Sequence, residues 1–189
     1  DKVLYKAYQF FVGIIEAQIN KVDAELAQLM DEFFPFLGAQ GLTLPTKQMR
    51  VIPADTAVEA KTTVAPYNRM RELIKDDELI AVAPCICTQM ADTRGSKCEH
   101  TIERCLAFGD MAQYYIDNGI ARKSRKDELL KLLDTVEKEG LVLNTSNTKE
   151  LSFTCCCCIC CCGPLQALKL IPQASIMANV CYNAKIDPE

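Results

Sequence analysis

Histidine is nearly missing from this chain of 189 residues: His100 is the only one, and glycine and proline number eight each. So few turn-formers exclude a fibrous or low-complexity chain. Positive charge is also in short supply, with 21 Lys and Arg against 25 Asp and Glu and a formal charge of −4. That argues against a nucleic-acid binder relying on bulk attraction. A spanning helix needs about 20 apolar residues in a row. The best candidate, residues 8–19, is broken by Gln9, Glu16 and Gln18, and no membrane span is expected. No phosphate-cradling glycine-rich loop is present, and no acid–base pair stands out for catalysis. Position 1 is Asp rather than Met, which leaves a removed targeting segment unjudged. The remaining composition, 49% hydrophobic and 24% charged, is that of an ordinary soluble domain.

What the chain has in quantity is cysteine. The twelve cysteines are too sparse overall for a small disulfide scaffold, and they are not spread as staples would be. Cys85, Cys87, Cys98 and Cys105 form one cluster, and Cys155, Cys156, Cys157, Cys158, Cys160, Cys161 and Cys162 form a second. Cys181 stands alone. It follows apolar Ile176, Met177 and Val180 and reads as a small buried hydrophobe.

Apolar Leu4, Ala7, Phe11, Ile14 and Ile15 recur at three- and four-residue steps, predicting a helix over 2–19. Asp23 is placed to cap a second helix through residue 34, with Pro35 as its stop. Between Pro35 and Pro66 a loop is expected, with β-type runs at 49–52 and 58–64. A short helix over 67–75 precedes a buried strand over 79–83 that Pro84 ends. Residues 101–118 read as a helix through Ile102, Cys105, Leu106, Met111 and Tyr115, closed by Gly119. Tyr114 and Tyr115 are expected to be one surface and one core residue of it. Ser124 caps a further helix in which Leu129, Leu132, Leu133 and Val136 face inward until Gly140 closes it. A strand resumes at 141–143, and Gly163-Pro164 opens a short helix through 170. The expected fold is α+β: a helical N-terminal segment (1–42) packed on a small mixed α/β Cys-rich cluster-binding domain (43–189).

Three chemistries compete for the thiols. Sequence neighbours are held about 3.8 Å apart, while a disulfide wants Cα atoms roughly 4.4–6.8 Å apart, so adjacent cysteines pair badly. Zinc sites usually take ligand pairs two to four residues apart. Here the gaps in the first cluster are one, ten and six residues, a weak match. His100 lies in the last gap and reads as a polar loop residue. Crowded soft sulfur suits zinc, copper(I) or iron–sulfur clusters. Extended backbone would alternate the second cluster between two sides and spread it over about 20 Å. The segment must fold around one cluster or lie between two and give thiolates to each.

The runs IAVAPCIC, KCEHTIERCLAFGDMAQYYIDNG, EGLVLNTSN and TCCCCICCCGPLQALK resemble a family of ferredoxin-type iron–sulfur proteins from anaerobic bacteria and archaea. In that family a C-x-C and two later cysteines precede a stretch of the form C-x-C-C-G-C-C-C-G. The likeness covers about residues 49–189. It implies one or two iron–sulfur clusters of the 4Fe–4S type, held by Cys85, Cys87, Cys98, Cys105, Cys155, Cys157, Cys158, Cys160, Cys161 and Cys162. Cys156 falls where the family also accepts Asn, Ile159 replaces the usual Gly, and Cys181 matches no family position. The closing IDPE resembles the lead-in to a two-cluster ferredoxin module. Cys85 and Cys87 are expected to share a cluster with Cys98 or Cys105.

The function so implied is an electron carrier more than a stand-alone catalyst, in the cytoplasm, with a ferredoxin module, a flavoprotein or a larger redox complex as partner. Two alternatives stand beside it: a zinc-stapled interaction or regulatory module, and a reductase with an open cluster site. Arg94, Lys97 and Arg104 either offset the charge of thiolate-bound iron or are plain surface charges. The basic group Arg122, Lys123, Arg125 and Lys126 reads as a solvated turn.

Overall fold

The computed structural model describes residues 13–43, 49–52, 70–148 and 150–170. A 3₁₀ turn (Glu16–Lys21) leads into α1 (Ala24–Thr43), β1 (Met49–Ile52), α2 (Met70–Leu73), β2 (Ile80–Pro84) and α3 (Ile86–Thr93). Then come β3 (Glu103–Phe108), α4 (Gly109–Asp117), β4 (Arg122–Ser124), α5 (Lys126–Lys138), β5 (Val142–Ser146), β6 (Phe153–Cys157) and α6 (Gly163–Leu170). The six strands form one sheet in the order β1-β5-β6-β3-β2-β4, and every neighbouring pair is antiparallel. The fold is therefore α+β, with cysteine-bearing β6 and β3 side by side at the centre of the sheet.

Strand alternation sends successive residues to opposite faces, and each face has its own core. Ile80 and Val82 of β2, Leu106 and Phe108 of β3, Leu143 and Cys156 meet Leu129, Leu133 and Val136 of α5 and Met70 of α2. The intervening Ala81, Ala83, Cys105 and Ala107 meet Ile86 and Met90 of α3, Ala112 and Tyr115 of α4, and Ile19 and Ala27 near the N-terminus. Alanines on this second face let α3 and α4 lie close to the sheet. Leu133 is fully buried, so Leu133→Ala is expected to cost about 2–5 kcal/mol through the lost transfer energy and the cavity left behind. Urea unfolding of the metal-free protein, with an unchanged m-value, checks this.

Several expectations need correction. Residues 101–118 are not one helix: Glu103–Phe108 is a strand, and α4 starts only at Gly109. Cys105, Leu106 and Met111 fit helical spacing, but Gly109, where α4 begins, has φ +56°, a left-handed conformation foreign to the interior of a right-handed helix. Tyr115 is buried and Tyr114 exposed, as expected. Pro35 does not stop α1, which runs through it. A proline in a helix forfeits one backbone hydrogen bond. Contacts of α1 with α3 and α6 carry the helix past that loss. Asp23 caps as expected, its Oδ1 accepting from the Leu26 N–H at 2.8 Å. Ser124 is not the cap of α5. It ends β4 and donates to Glu128 Oε2 at 2.8 Å, while Arg125 takes the cap position.

The strand at 79–83 is β2, and the runs at 49–52, 141–143 and 163–170 correspond to β1, the start of β5 and α6. Of the helix expected over 2–19, residues 2–12 lie outside the described residues. The remainder turns into a 3₁₀ segment, where the Glu16 carboxylate accepts the Gly13 N–H at 2.7 Å. The β-type run at 58–64, residues 67–69 of the next helix, Cys181 and the closing IDPE also lie outside the described residues.

Candidate metal centre

Pro84 ends β2 because it has no N–H to continue the ladder, and the chain then turns into α3 with Cys85 as the capping residue and Cys87 in the first turn. Opposite, Ala83 pairs with Cys105 and Pro84 with Glu103, so Arg104 is the extra residue of a β-bulge. Bulges re-aim side chains. Here the bulge carries the guanidinium of Arg104, only 1% exposed, in among the thiols. β6 holds Cys155 beside Cys105 of β3, and Cys156 turns to the other face, into the main core. After β6 the chain turns sharply through Cys158–Cys161 and enters α6 from Cys162, whose carbonyl accepts the first helical N–H, that of Gln166, at 2.9 Å.

Four thiols meet at this turn. Cys98, Cys158, Cys160 and Cys161 place their Sγ atoms all within 4.8 Å of one another. Cys158 Sγ lies 3.0 Å from both Cys160 and Cys161, and Cys98 lies 3.5 Å from Cys160, 3.7 Å from Cys158 and 3.8 Å from Cys161. A single ion bound at about 2.3 Å in a tetrahedron sets its sulfurs about 3.8 Å apart. The group therefore fits one tetrahedral metal ion. A four-iron cube, with one thiolate on each corner iron, holds its sulfurs wider, at roughly 6 Å, and these four would have to spread to take it. Cys158 and Cys161 are buried, Cys98 half-buried and Cys160 exposed.

Arg104 binds this group through one nitrogen. Its Nη2 donates to Cys158 Sγ at 3.1 Å, Cys161 Sγ at 3.2 Å, Cys98 Sγ at 3.5 Å and Thr88 Oγ1 at 2.7 Å. Burial disfavours its charge, but the neighbouring thiolates outweigh that and hold it firmly protonated. Arg94 and Lys97 stay at the surface, Arg94 paired with Asp31 of α1.

The loop that delivers Cys98 is tied to the end of α5. Glu139 accepts from Thr101 N–H at 3.0 Å and from Thr101 Oγ1 at 2.6 Å, and His100 Nδ1 lies 3.4 Å away. The single histidine thus sits against a carboxylate beside the thiols and is not one of the four. Groups that orient ligands are worth roughly 10–100-fold in metal affinity. Glu139→Ala is expected to weaken metal binding by about that factor, read by chelator competition, with the fold kept by circular dichroism.

The thiols also form a continuous file. Cys105 contacts Cys155, Cys155 contacts Cys157, Cys157 contacts Cys162, and Cys162 contacts Cys87. Cys87 contacts Cys85, and Cys85 contacts Cys161 at the edge of the compact group. Ionisation is uneven along it. Hydrogen bonds from Cys155 and Cys162 bring Cys157 down to about 6 despite its burial. Burial pushes Cys158 up, but Cys160, Cys161 and Arg104 together bring it down to about 6. Hydrogen bonds from Cys161 and Cys87 depress Cys85 strongly. The donors between them are pushed the other way, Cys160 to about 12 by burial and its bonds to Cys158 and Cys98. At neutral pH Cys158 is therefore already a thiolate, while Cys160 must shed its proton to ligate. Metal affinity should rise with pH and fall steeply below pH 6, where Cys158 also protonates. Metal uptake in weak buffer with an indicator dye should release protons.

All ten cysteines expected as ligands stand in this file, whereas Cys156 stands in the apolar core. Cys98 joins Cys158, Cys160 and Cys161 in the compact group, and Cys85 reaches that group only through Cys161. Thr88, Glu139 and Asn144 were not anticipated. A threonine one helical step from Cys87 carries no signal, and neither does a glutamate 41 positions after Cys98. Fold and site together define a thiol-rich α+β protein with a group of cysteines that can hold a metal ion. No protein-family model, curated protein or solved structure matches the chain. No helix among the described residues is long and apolar enough to cross a membrane.

Proposed function

We propose that this chain is an iron–sulfur electron-transfer protein, or the electron-transfer part of a larger redox protein, of the ferredoxin-type family that its cysteine runs resemble. The observation that carries the reading is the file itself: ten thiols linked neighbour to neighbour, with neither a carboxylate nor an imidazole of the described residues among them. Sulfur-only donor sets are the habit of iron–sulfur clusters and of zinc or copper(I), and ten thiolates exceed what one ion takes. Iron–sulfur clusters supply one-electron chemistry at low reorganisation. The chain's part is to exclude water from Cys158 and Cys161, to bring Arg104 against the charge of the thiolates, and to leave Cys160 at the surface, where an electron can cross to a redox partner. Iron and acid-labile sulfide in protein purified without oxygen, with an EPR signal on reduction, test it. A protein that carries zinc and no iron would overturn it. One observation favours that second reading, a zinc-stapled module: the spacing of the compact four thiols suits a single ion.

A further inference from the structure

The adjacent cysteines face different ways. Cys157 is the last residue of β6 and contacts Cys155 and Cys162, while Cys158 contacts Cys160 and Cys161. The same division falls between Cys161, in the compact group, and Cys162, in contact with Cys157 and Cys87. The backbone of 157–158 and of 161–162 thus runs between two sets of sulfurs. The second set draws on four elements: Cys87 from α3, Cys155 and Cys157 from β6, Cys162 from the start of α6, and Cys105 from β3 beside Cys155. Leu165 and Val142 wall it with apolar surface. Asn144, the cross-strand neighbour of Cys155 and only 2% exposed, directs its amide at Cys157. Its Nδ2 is buried without a conventional hydrogen-bond partner among the described residues. A buried amide N–H costs free energy unless something accepts from it, and a sulfur-rich cluster supplies such acceptors.

The two sets also differ in size. Only the compact four crowd within 4.8 Å of one another. The second set is strung out: among the described residues no three of its sulfurs crowd that closely, which is too open for a single ion and nearer the wider spacing of a polynuclear cluster.

We infer that the file holds two separate centres: a single tetrahedral ion on Cys98, Cys158, Cys160 and Cys161, and a sulfide-bearing polynuclear iron cluster on Cys87, Cys155, Cys157 and Cys162, beside Asn144. This explains the density of the second cysteine run, since neighbouring thiols serve opposite centres. It rests on the reading of the chain as an iron–sulfur protein.

Two double variants of the full chain decide it after anaerobic reconstitution with ferrous iron and sulfide. Cys158→Ser with Cys160→Ser is expected to lose iron while keeping the acid-labile sulfide of the wild type. Cys157→Ser with Cys162→Ser is expected to lose all the sulfide while keeping about one iron. Sulfide lost from the first pair, or retained by the second, overturns the assignment. Where a double variant fails to fold by circular dichroism, Asn144→Leu replaces it. That substitution should shift the cluster's EPR signal at unchanged iron content, and an unaltered signal overturns the second centre. A wild type that takes up zinc and no iron overturns the iron–sulfur reading instead. Zinc counts on the same variants then still distinguish one centre from two.

Discussion

Arg104→Gln is expected to lower the midpoint potential of the iron-loaded protein by on the order of 100 mV. Among the described residues the guanidinium is the one cation with its nitrogen against Cys98, Cys158 and Cys161 together. A unit charge about 5 Å from the metal, at an effective dielectric constant near 20, is worth about 3 kcal/mol by Coulomb's law. The reduced centre carries one more negative charge than the oxidised one, so the cation favours reduction. Removing it favours the oxidised state, and the potential falls. Arg104→Lys keeps the charge but not the planar guanidinium whose Nη2 reaches three sulfurs and Thr88. It should recover most of the potential with less stability. A potential equal in all three proteins would mean that Arg104 only fills space. Spectroelectrochemical titration makes the comparison, with iron content measured alongside.

The second large effect separates two neighbouring residues. Cys158→Ser should empty the compact site, because Cys158 lies 3.0 Å from both Cys160 and Cys161 and 3.7 Å from Cys98, and its neighbours lower its thiol to about 6. A hydroxyl binds soft metals poorly. Cys156→Ser should leave the metal in place. Its side chain is 1% exposed among Leu143, Leu106 and the α5 leucines, and burial, with the charge of Cys105 adding to it, drives its thiol upward, away from ionisation. The cost there is stability, about 1–3 kcal/mol for a hydroxyl buried without a new partner. Metal analysis and thermal unfolding of both proteins check the pair. Equal metal loss in the two would remove the distinction between the faces of β6.

How much of this was legible beforehand varies with the physics of each element. Gly140 closing α5, Pro84 ending β2 and Gly163-Pro164 opening α6 were readable because a glycine or proline acts on its own backbone. The strand through Cys105 was not, since its residues Glu103–Phe108 suit either period and only pairing with β2 and β6 decides between them. Pro35 misled for the same reason. A local penalty was overridden by packing between residues distant in the chain. At the site, thiol chemistry was plain from adjacency alone. The separation of Cys156 from its neighbours followed from strand alternation, once β6 was known to end at Cys157. The division into a compact group and a longer file depends on where the turn at 158–161 falls, and no spacing rule gives that. Arg104 was one of three basic candidates. The bulge that selects it is a property of the β2–β3 pairing.

The outermost strand, β4, is only three residues long and shows Arg122 and Lys123 to solvent. Arg122 is further held by Glu103 and Glu128. A foreign strand laid along this border would have to cover those charges, and three residues offer it little to grip. Exposed sheet borders invite aggregation, a hazard that grows for a protein whose thiols could cross-link any clump that forms. The brevity and charge of β4 leave a second copy of this chain little to pair with on that side, and so little chance to bring its thiols against these.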